Sequence, residues 1–145
     1  MNSVLRYISV PFFLFGVGNP AFAADVAKSY TQNEVTTLLS SPQSTIGEPI
    51  VYPGGMPAEI VSAIVSIAPG QKTGWHKHGV PLFAYMLSGE LEVDYGDKGV
   101  KTYTAGMAFM EAMDQLHEGR NTTSEPARVL AVYMGAKGFH NVIVP

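Results

Sequence analysis

The chain has 145 residues, of which 46% are hydrophobic and 14% are charged. This length and composition are enough for one packed core and too little for two domains of ordinary size. Lys and Arg total 9 against 12 Asp and Glu, the formal net charge is -3, and neither end carries a run of basic residues. Nucleic acids and anionic membrane surfaces are therefore not expected partners.

The first 23 residues have the layout of a secretory signal peptide. Arg6 supplies a positive charge, residues 8–17 an apolar stretch, and Ala21-Phe22-Ala23 a small-residue cleavage site. The apolar stretch is shorter than the roughly 20 residues that a membrane-spanning helix needs. The sequence predicts an exported protein, periplasmic or secreted, with no membrane contact in its mature form; retention of the segment as an anchor is the alternative.

The segment that follows, residues 24–44, is largely polar. Val35, Leu38 and Leu39 have the i, i+3, i+4 spacing of one apolar helix face, which predicts a short amphipathic helix within residues 25–41. No cysteine occurs anywhere in the chain. Disulfides therefore cannot contribute, and any metal ion must be held by nitrogen and oxygen atoms.

From residue 45 to residue 145 the sequence indicates a single all-β domain. Apolar and β-branched stretches are separated by Gly and Pro, a pattern typical of antiparallel sheets. The predicted strands are residues 46–52, 59–68, 82–88, 90–95, 100–104, 107–111 and 128–134. Glycine-containing turns are predicted at residues 88–89 and 96–99. The architecture is then either a sandwich or a small jelly-roll barrel.

Two of the four histidines, His76 and His78, lie one residue apart in the segment GQKTGWHKHG. In a strand, side chains at i and i+2 share a face and their Cα atoms lie roughly 7 Å apart, so both imidazoles can lean toward one ion. A third nitrogen is expected from His117, because His140 lies in the C-terminal tail. Such a pair is a weak motif without context, and a solvated loop is the alternative.

The spacing around these histidines extends into two longer patterns. The first pattern contains Gly70, His76, His78, Leu82 and Gly89, and the second contains Gly106, Ala112, Asp114, His117 and Asn121. Together they resemble the two signature motifs of the cupin superfamily, over about residues 50–135. The resemblance implies a single cupin β-barrel, in which the first motif supplies two His and a Glu to a metal ion and the second supplies another His.

This chain departs from the family pattern at a ligand position, because the Glu of the first motif falls on Leu82. Three neutral imidazoles leave the charge of a divalent ion to be balanced by water, hydroxide or substrate, which favours an anionic or chelating ligand. The resemblance points to iron as the metal. Manganese, nickel, copper and zinc are the alternatives, since imidazole suits several of these ions.

Glu111 is the carboxylate best placed to compensate for Leu82. It ends the apolar run 107–110 and lies six residues before His117. We therefore treat it as a candidate catalytic residue that transfers a proton, with direct metal binding or a hydrogen bond to an imidazole as further roles. The alternative is a side chain that faces solvent at the end of a strand.

Several other side chains have predicted positions. If Leu82 faces inward, strand alternation places Ala84 and Met86 on the same face, so that the cavity beside the histidines is small and mostly apolar. Trp75 is expected at the barrel mouth, in a subunit contact or in the core. Asn121 starts the sequence Asn-Thr-Thr of a glycosylation site, but its place in the second pattern predicts that it braces the turn after His117.

Taken together, the sequence predicts an exported cupin that binds one divalent metal ion through His76, His78 and His117. Some cupins that oxidise small molecules with dioxygen resemble this chain in using three histidines, which implies an enzyme of that kind. The alternative is a non-catalytic protein that binds or senses a small molecule or the metal itself. The sequence contains no nucleophile elbow, dinucleotide fingerprint or P-loop, so nucleotide cofactors are not expected. The resemblance also implies a homodimer.

Overall fold

The computed structural model describes residues 36–145. The predicted signal peptide at residues 1–23 lies outside the described residues, as does most of the predicted N-terminal helix. The last part of that helix prediction, residues 36–41, is not helical. Within the described range, no helix is long and apolar enough to cross a membrane.

The regular elements of the described chain are seven β-strands and one short 3-10 turn. The strands are β1 (Ala58–Ile67), β2 (Leu82–Ser88), β3 (Glu90–Asp94), β4 (Val100–Thr104), β5 (Ala108–Met110), β6 (Glu118–Arg120) and β7 (Ala127–Ala136). One 3-10 turn, Gly96–Lys98, connects β3 to β4. The predicted all-β fold class is confirmed.

The strands form two antiparallel sheets that enclose one core. One sheet has four strands in the order β1-β7-β2-β5, and the other has three in the order β4-β3-β6. Both sheets contribute buried side chains to a single cluster: Ile67, Leu82, Ala84, Met86, Leu91, Val93, Tyr95, Tyr103, Phe109, Ala112, Ala127, Val129 and Ala131. The described residues therefore form two facing sheets around an interior that both sheets line.

The pattern of β2 follows the prediction closely. Leu82, Ala84 and Met86 are all buried, while Leu87, on the opposite face, is exposed. Because side chains alternate along a strand, the inward direction of Leu82 fixes the direction of the other two. The position that the family pattern reserves for a carboxylate therefore points into the barrel.

The structure lacks one predicted strand and contains one that was not predicted. Residues 46–52 do not form a strand, and this region makes only an isolated bridge between Gln43 and Pro49. Pro49 lacks the N–H that a regular ladder needs. Strand β6 was missed because its sequence, Glu-Gly-Arg, carries no apolar alternation. It forms because it pairs with β3.

Strand β1 contrasts with β2 although both are rich in apolar residues. It lies at the edge of the four-stranded sheet, with β7 as its neighbour, and its first seven residues are exposed. Ile60 and Ile64 retain 59% and 52% of their accessible surface. The apolar pattern thus predicted the strand correctly but not its burial.

Gly89 allows the chain to leave β2 and enter β3 in the other sheet. Its φ is 73°, in the left-handed region that glycine tolerates. A Cβ atom at this position would lie 2.6 Å from the carbonyl oxygen of Pro126. The turn therefore requires glycine for its backbone conformation and for the close approach of the segment before β7.

Candidate metal centre

Backbone hydrogen bonds place the three predicted histidines side by side. His76 and His117 form a reciprocal pair: the His76 N–H donates to the His117 carbonyl at 3.0 Å, and the His117 N–H donates to the His76 carbonyl at 2.9 Å. The His78 N–H donates to the Met113 carbonyl at 3.0 Å. Residues 76–77 form isolated bridges and not the regular strand that the i, i+2 argument assumed.

The three imidazole rings converge on one point. Their centroids are 5.0 Å apart for His76 and His78, 4.6 Å for His76 and His117, and 5.1 Å for His78 and His117. One nitrogen from each ring lies within 4.8 Å of the others. In residues 36–145 this is the one group of three or more His, Asp or Glu side chains arranged to hold an ion.

Each imidazole is oriented by a backbone carbonyl group. The Nδ1 atom of His76 lies 2.8 Å from the Gly74 oxygen, that of His78 lies 2.9 Å from the Asn141 oxygen, and that of His117 lies 2.9 Å from the Gln115 oxygen. A carbonyl oxygen only accepts hydrogen bonds, so Nδ1 must carry the proton in all three rings. In the neutral ring Nε2 is then left with a free lone pair.

Burial keeps these rings neutral. Desolvation lowers the pKa of His76 and of His117, and it lowers the pKa of His78 to about 4. The hydrogen bonds to backbone carbonyls oppose this shift without reversing it. At neutral pH the three Nε2 lone pairs are therefore available to a Lewis acid.

These residues fit a divalent metal ion. The Nε2 atom of His117 is buried and has no hydrogen-bond partner among the described residues, a costly arrangement unless another group binds it. Three neutral nitrogen donors on one centre are an ordinary ligand set for zinc, iron, nickel or copper. The geometry therefore supports a site that could hold a metal ion, while its occupancy and the identity of the metal stay predictions.

The structure leaves the missing carboxylate position apolar. Leu82 is buried and lines the cavity beside the histidines. Glu111 also lines this cavity, but its oxygens are not part of the cluster that could hold an ion. The sequence-based alternative of a solvent-facing Glu111 is wrong, because the residue is only 7% exposed.

Glu111 is held by one of its two oxygens. Its Oε1 accepts a hydrogen bond from the Tyr95 hydroxyl at 2.6 Å and one from the Ala112 N–H at 2.8 Å. Burial raises the pKa of Glu111 to about 7, although both hydrogen bonds favour the ionised form. A carboxyl group with this pKa can give or accept a proton near neutral pH.

A chain of hydroxyl groups continues from Glu111 through the core. The Tyr95 hydroxyl lies 3.1 Å from the Tyr103 hydroxyl, which in turn lies 2.7 Å from Oγ1 of Thr45. Burial raises the pKa of Tyr103 to about 12 and that of Tyr95 further, so both stay protonated. Tyr95 was not singled out in the sequence, since a Tyr at the end of a predicted strand gave no sign of this contact.

Two distant segments support the site and were also missed. The Glu48 carboxylate accepts hydrogen bonds from the N–H groups of Met113, Asp114 and Gln115 at 2.8, 3.1 and 3.1 Å. This carboxylate holds the loop whose Gln115 carbonyl orients His117. Glu48 lies in a segment that was predicted to be a strand, so the sequence pattern concealed its role.

The C-terminal tail forms part of the same site. Ile143 pairs with Lys77 through two backbone hydrogen bonds of 2.8 and 2.9 Å, and Val142 and Val144 line the cavity. Gly79 permits this approach, because a Cβ atom there would lie 2.5 Å from the His140 carbonyl oxygen. The tail therefore brings the Asn141 carbonyl to His78.

The cavity beside the histidines has a volume of about 250 Å³. Apolar side chains from both sheets form most of its wall, as the sequence predicted. Tyr133 lies next to the histidines, with its ring 5.6 Å from that of His78. Burial raises the pKa of Tyr133, so its hydroxyl is a neutral hydrogen-bond donor at this end of the cavity.

The structure excludes one of the roles predicted for Trp75 and supports one of the two predicted for Asn121. Trp75 is 43% exposed, so it is not a core residue. Asn121 is 1% exposed; its amide donates to the carbonyls of Ile67 and Glu125, and its Oδ1 accepts from Thr123. The predicted bracing role is confirmed, and a side chain this deeply buried is not accessible to a glycan.

Two antiparallel sheets around one core, with three convergent imidazoles between them, define the class of this protein as a small β-barrel with a candidate metal centre. Residues 63–133 match the family model described as Cupin domain. The matched residues therefore form a small cupin domain. No curated protein matches the sequence at a significant level.

Solved structures show the same fold. The oxalate decarboxylase of Lactobacillus farciminis, solved as a formate complex, is 24% identical with a TM-score of 0.51, covering 58% of this chain and 26% of its own. This chain thus spans about a quarter of that protein. The polyketide cyclase RemF of Streptomyces resistomycificus is 18% identical with a TM-score of 0.50, covering 79% of this chain and 88% of its own. At these identities the likeness is one of fold.

Proposed function

We propose that this chain is an exported cupin that binds one divalent metal ion through His76, His78 and His117 and catalyses the oxidation of a small molecule. The observation that carries the proposal is the shared orientation of the three imidazoles. All three have Nδ1 on a backbone carbonyl, which leaves Nε2 free, and the Nε2 of His117 is buried without a partner. Three neutral rings packed together in this way are difficult to explain without a cation.

A divalent ion at this centre would polarise an oxygen ligand and, if it is redox-active, would supply the electron transfer that an oxidation with dioxygen requires. The side chains around it have separate tasks. Glu111 would accept a proton from the substrate, with Oε1 fixed by Tyr95 and Ala112 so that the carboxyl keeps one orientation. The Tyr133 hydroxyl would donate a hydrogen bond to the substrate beside His78.

Metal analysis tests this proposal directly. Protein purified without added metal is analysed for bound ions, and the metal-free form is titrated with Zn²⁺ and Fe²⁺ by calorimetry. The His76→Ala variant should lose metal binding by roughly a hundredfold or more. The matched control is His140→Ala, because His140 is exposed and stands in the tail. Equal metal affinity in wild type and His76→Ala, with both proteins folded, would contradict the proposal.

Catalysis and binding are separated by a second measurement. Oxygen uptake by the metal-loaded protein in the presence of a substrate supports the enzyme. A protein that binds metal and ligand without turnover supports the alternative, a non-catalytic binding or sensing cupin. Export is measured independently, because cleavage of the signal peptide predicts a mature N-terminus at Ala24 in the periplasmic or secreted fraction.

A homodimer is part of the same proposal. Among residues 36–145, β1 is an edge strand of ten residues with exposed Ile60 and Ile64, a surface that another chain can pair with. Light scattering measures the oligomeric state. A monomer at all concentrations would contradict the proposed homodimer and would leave the proposed metal site unaffected.

A further inference from the structure

The polarity of the cavity changes in steps along the four-stranded sheet. Strand register places Leu82 opposite Tyr133 in the first row, Ala84 opposite Ala131 in the second, and Met86 opposite Val129 in the third. Glu111 donates its N–H to the Leu82 carbonyl at 2.9 Å, so it belongs to the first row, as does Tyr133, whose ring lies 5.6 Å from that of His78. The polar groups are therefore concentrated at one end.

The second row provides the space. Ala84 and Ala131 both line the cavity and are 2% and 3% exposed. Phe109 pairs with Ala84 from the other side and closes the wall. Any larger side chain at the two alanines would project into the cavity, because rows on one face lie roughly 7 Å apart along the strand. Small residues here leave room for the body of a ligand next to the metal centre.

The third row makes the far end apolar. Val129, with Val65 opposite it on β1, lines the cavity together with Ile67. Leu91 and Val93 contribute from the other sheet. A cavity of roughly 150 Å³ lined by such residues accepts benzene. The cavity in this chain, at about 250 Å³, has room for one ring with short substituents.

The charged residues that line the cavity also limit the charge that a ligand can carry. No Lys or Arg is among the described residues that line the cavity. The acidic group that lines it, Glu111, would repel a second carboxylate. One negative charge can be balanced by a metal ion on the three neutral imidazoles, whereas a second one would be left unpaired in an apolar wall, at a cost of several kcal/mol.

We infer that the site takes a compact apolar molecule, ring-shaped or branched, that carries a single oxygen-donor group with at most one negative charge, and that it discriminates against dicarboxylates and sugar phosphates. The oxygen donor lies at the histidine end, and the body lies over Ala84 and Ala131. This inference rests on the proposed function, because the metal ion holds the oxygen donor.

Calorimetry with the Zn²⁺-loaded protein and two probes tests the inference. Malonate chelates metal ions better than benzoate in water, so metal chelation alone predicts tighter binding of malonate. The cavity predicts the reverse order, with benzoate bound at least about tenfold more tightly. Ribose 5-phosphate, as a third probe, should bind more weakly than benzoate. Tighter binding of malonate or of ribose 5-phosphate than of benzoate would overturn the inference.

Substitutions locate the body of the ligand. Ala84→Leu fills the second row and should weaken benzoate binding about tenfold or more, with an unchanged affinity for Zn²⁺. Ala108→Leu is the matched control, since it adds the same volume on the opposite face of the neighbouring strand β5. Val129→Thr keeps the volume of the side chain but adds a hydroxyl group, and it should weaken the binding of benzoate several-fold. Wild-type affinity in both Ala84→Leu and Val129→Thr would refute the assignment.

The two proposals fail in different ways. A protein that takes up Zn²⁺ but prefers malonate refutes the inference and leaves the proposed function standing. A protein that takes up no metal refutes the proposed function. In that case, NMR of the metal-free protein with toluene tests whether the cavity binds an apolar ring. A shift of the Ala131 methyl signal that is absent in Ala84→Leu supports the apolar cavity. No shift in the wild type overturns it.

Discussion

The two ends of the cavity are built in different ways. The apolar end consists of side chains on neighbouring strands, such as Val129 and Val65, whose positions follow from regular register. The polar end is assembled from irregular segments far apart in the sequence, including Glu48, the loop before His117 and the tail around Asn141. The difference shows that regular strands determine the space, whereas irregular backbone determines the chemistry.

The largest effect is expected at the apolar end, where the chain crosses between the sheets. Gly89→Ala should lower the free energy of unfolding by about 3 kcal/mol or more, because the new Cβ meets the backbone of Pro126 and the φ of 73° is strained for alanine. Chemical denaturation measures the loss. If the two ends are independent, the folded variant keeps the wild-type affinity for Zn²⁺.

Gly70→Ala is the control for the Gly89 substitution. Gly70 has a φ of 72°, almost that of Gly89, but no atom lies within 4 Å of a Cβ at that position. Alanine there has a positive φ without the clash, so the loss should be about 1 kcal/mol. Equal losses in the two variants would show that the contact with Pro126 has no part in the stability of the turn.

An intermediate effect is expected from Glu111, and it depends on pH. The carboxyl ionises near pH 4.5 when unfolded and near pH 7 when folded. The stability that its neutral form contributes is complete below about pH 4.5 and is lost as the pH rises through 7. Between pH 5 and 8, metal-free Glu111→Gln should therefore gain roughly 2 to 3 kcal/mol relative to the wild type.

Urea denaturation of both proteins across this pH range measures the difference. The three histidines contribute with the opposite sign, since burial lowers their pKa and their protonation favours the unfolded chain as the pH falls below about 6.5. The contributions of His78 and His117 are common to both proteins and cancel in the comparison. The pKa of His76 is lowered further in Glu111→Gln, because the variant lacks the carboxylate that raises it. A difference that stays constant from pH 5 to 8 would show that Glu111 is not buried in a neutral form.

The smallest of these effects is expected at the polar end. Glu48→Ala removes the acceptor of three backbone N–H groups and should cost about 2 kcal/mol of stability, since part of that loop can be rehydrated. The affinity for Zn²⁺ should fall about tenfold, because the loop holds the Gln115 carbonyl that orients His117. Glu59→Ala, on the exposed edge strand, is the control. Unchanged metal affinity would mean that His117 is oriented without this loop.

Sequence reasoning was most successful where the chain is periodic or where a motif has fixed spacing. Alternation in β2 correctly gave the inward direction of Leu82, Ala84 and Met86. Motif spacing indicated His76, His78 and His117, which the structure brings together. Both predictions depend on short-range geometry, because a strand or a turn fixes the relative positions of residues that are close in sequence.

The sequence did not predict the features that depend on contacts between distant segments. Glu48 and Asn141 act on loops 65 and 63 residues away, and no local pattern encodes such a pairing. The strand predicted at residues 46–52 is wrong for a local reason, since Pro49 lacks the N–H of a regular ladder. That prediction concealed the contact of Glu48 with the loop before His117. The exposure of β1 was also hidden, because apolar alternation indicates which residues share a face and not what covers that face.

The groups that orient the three imidazoles are all main-chain carbonyls, those of Gly74, Gln115 and Asn141. Every amino acid has such a group, so a substitution at any of these positions keeps the acceptor as long as the backbone path is kept. The tautomer of each histidine is in this sense insensitive to sequence drift around it. Families that share the centre can therefore diverge freely at positions 115 and 141, where an absence of conservation would not mean an absence of function. At Gly74 the φ of 78° favours glycine for the backbone path itself.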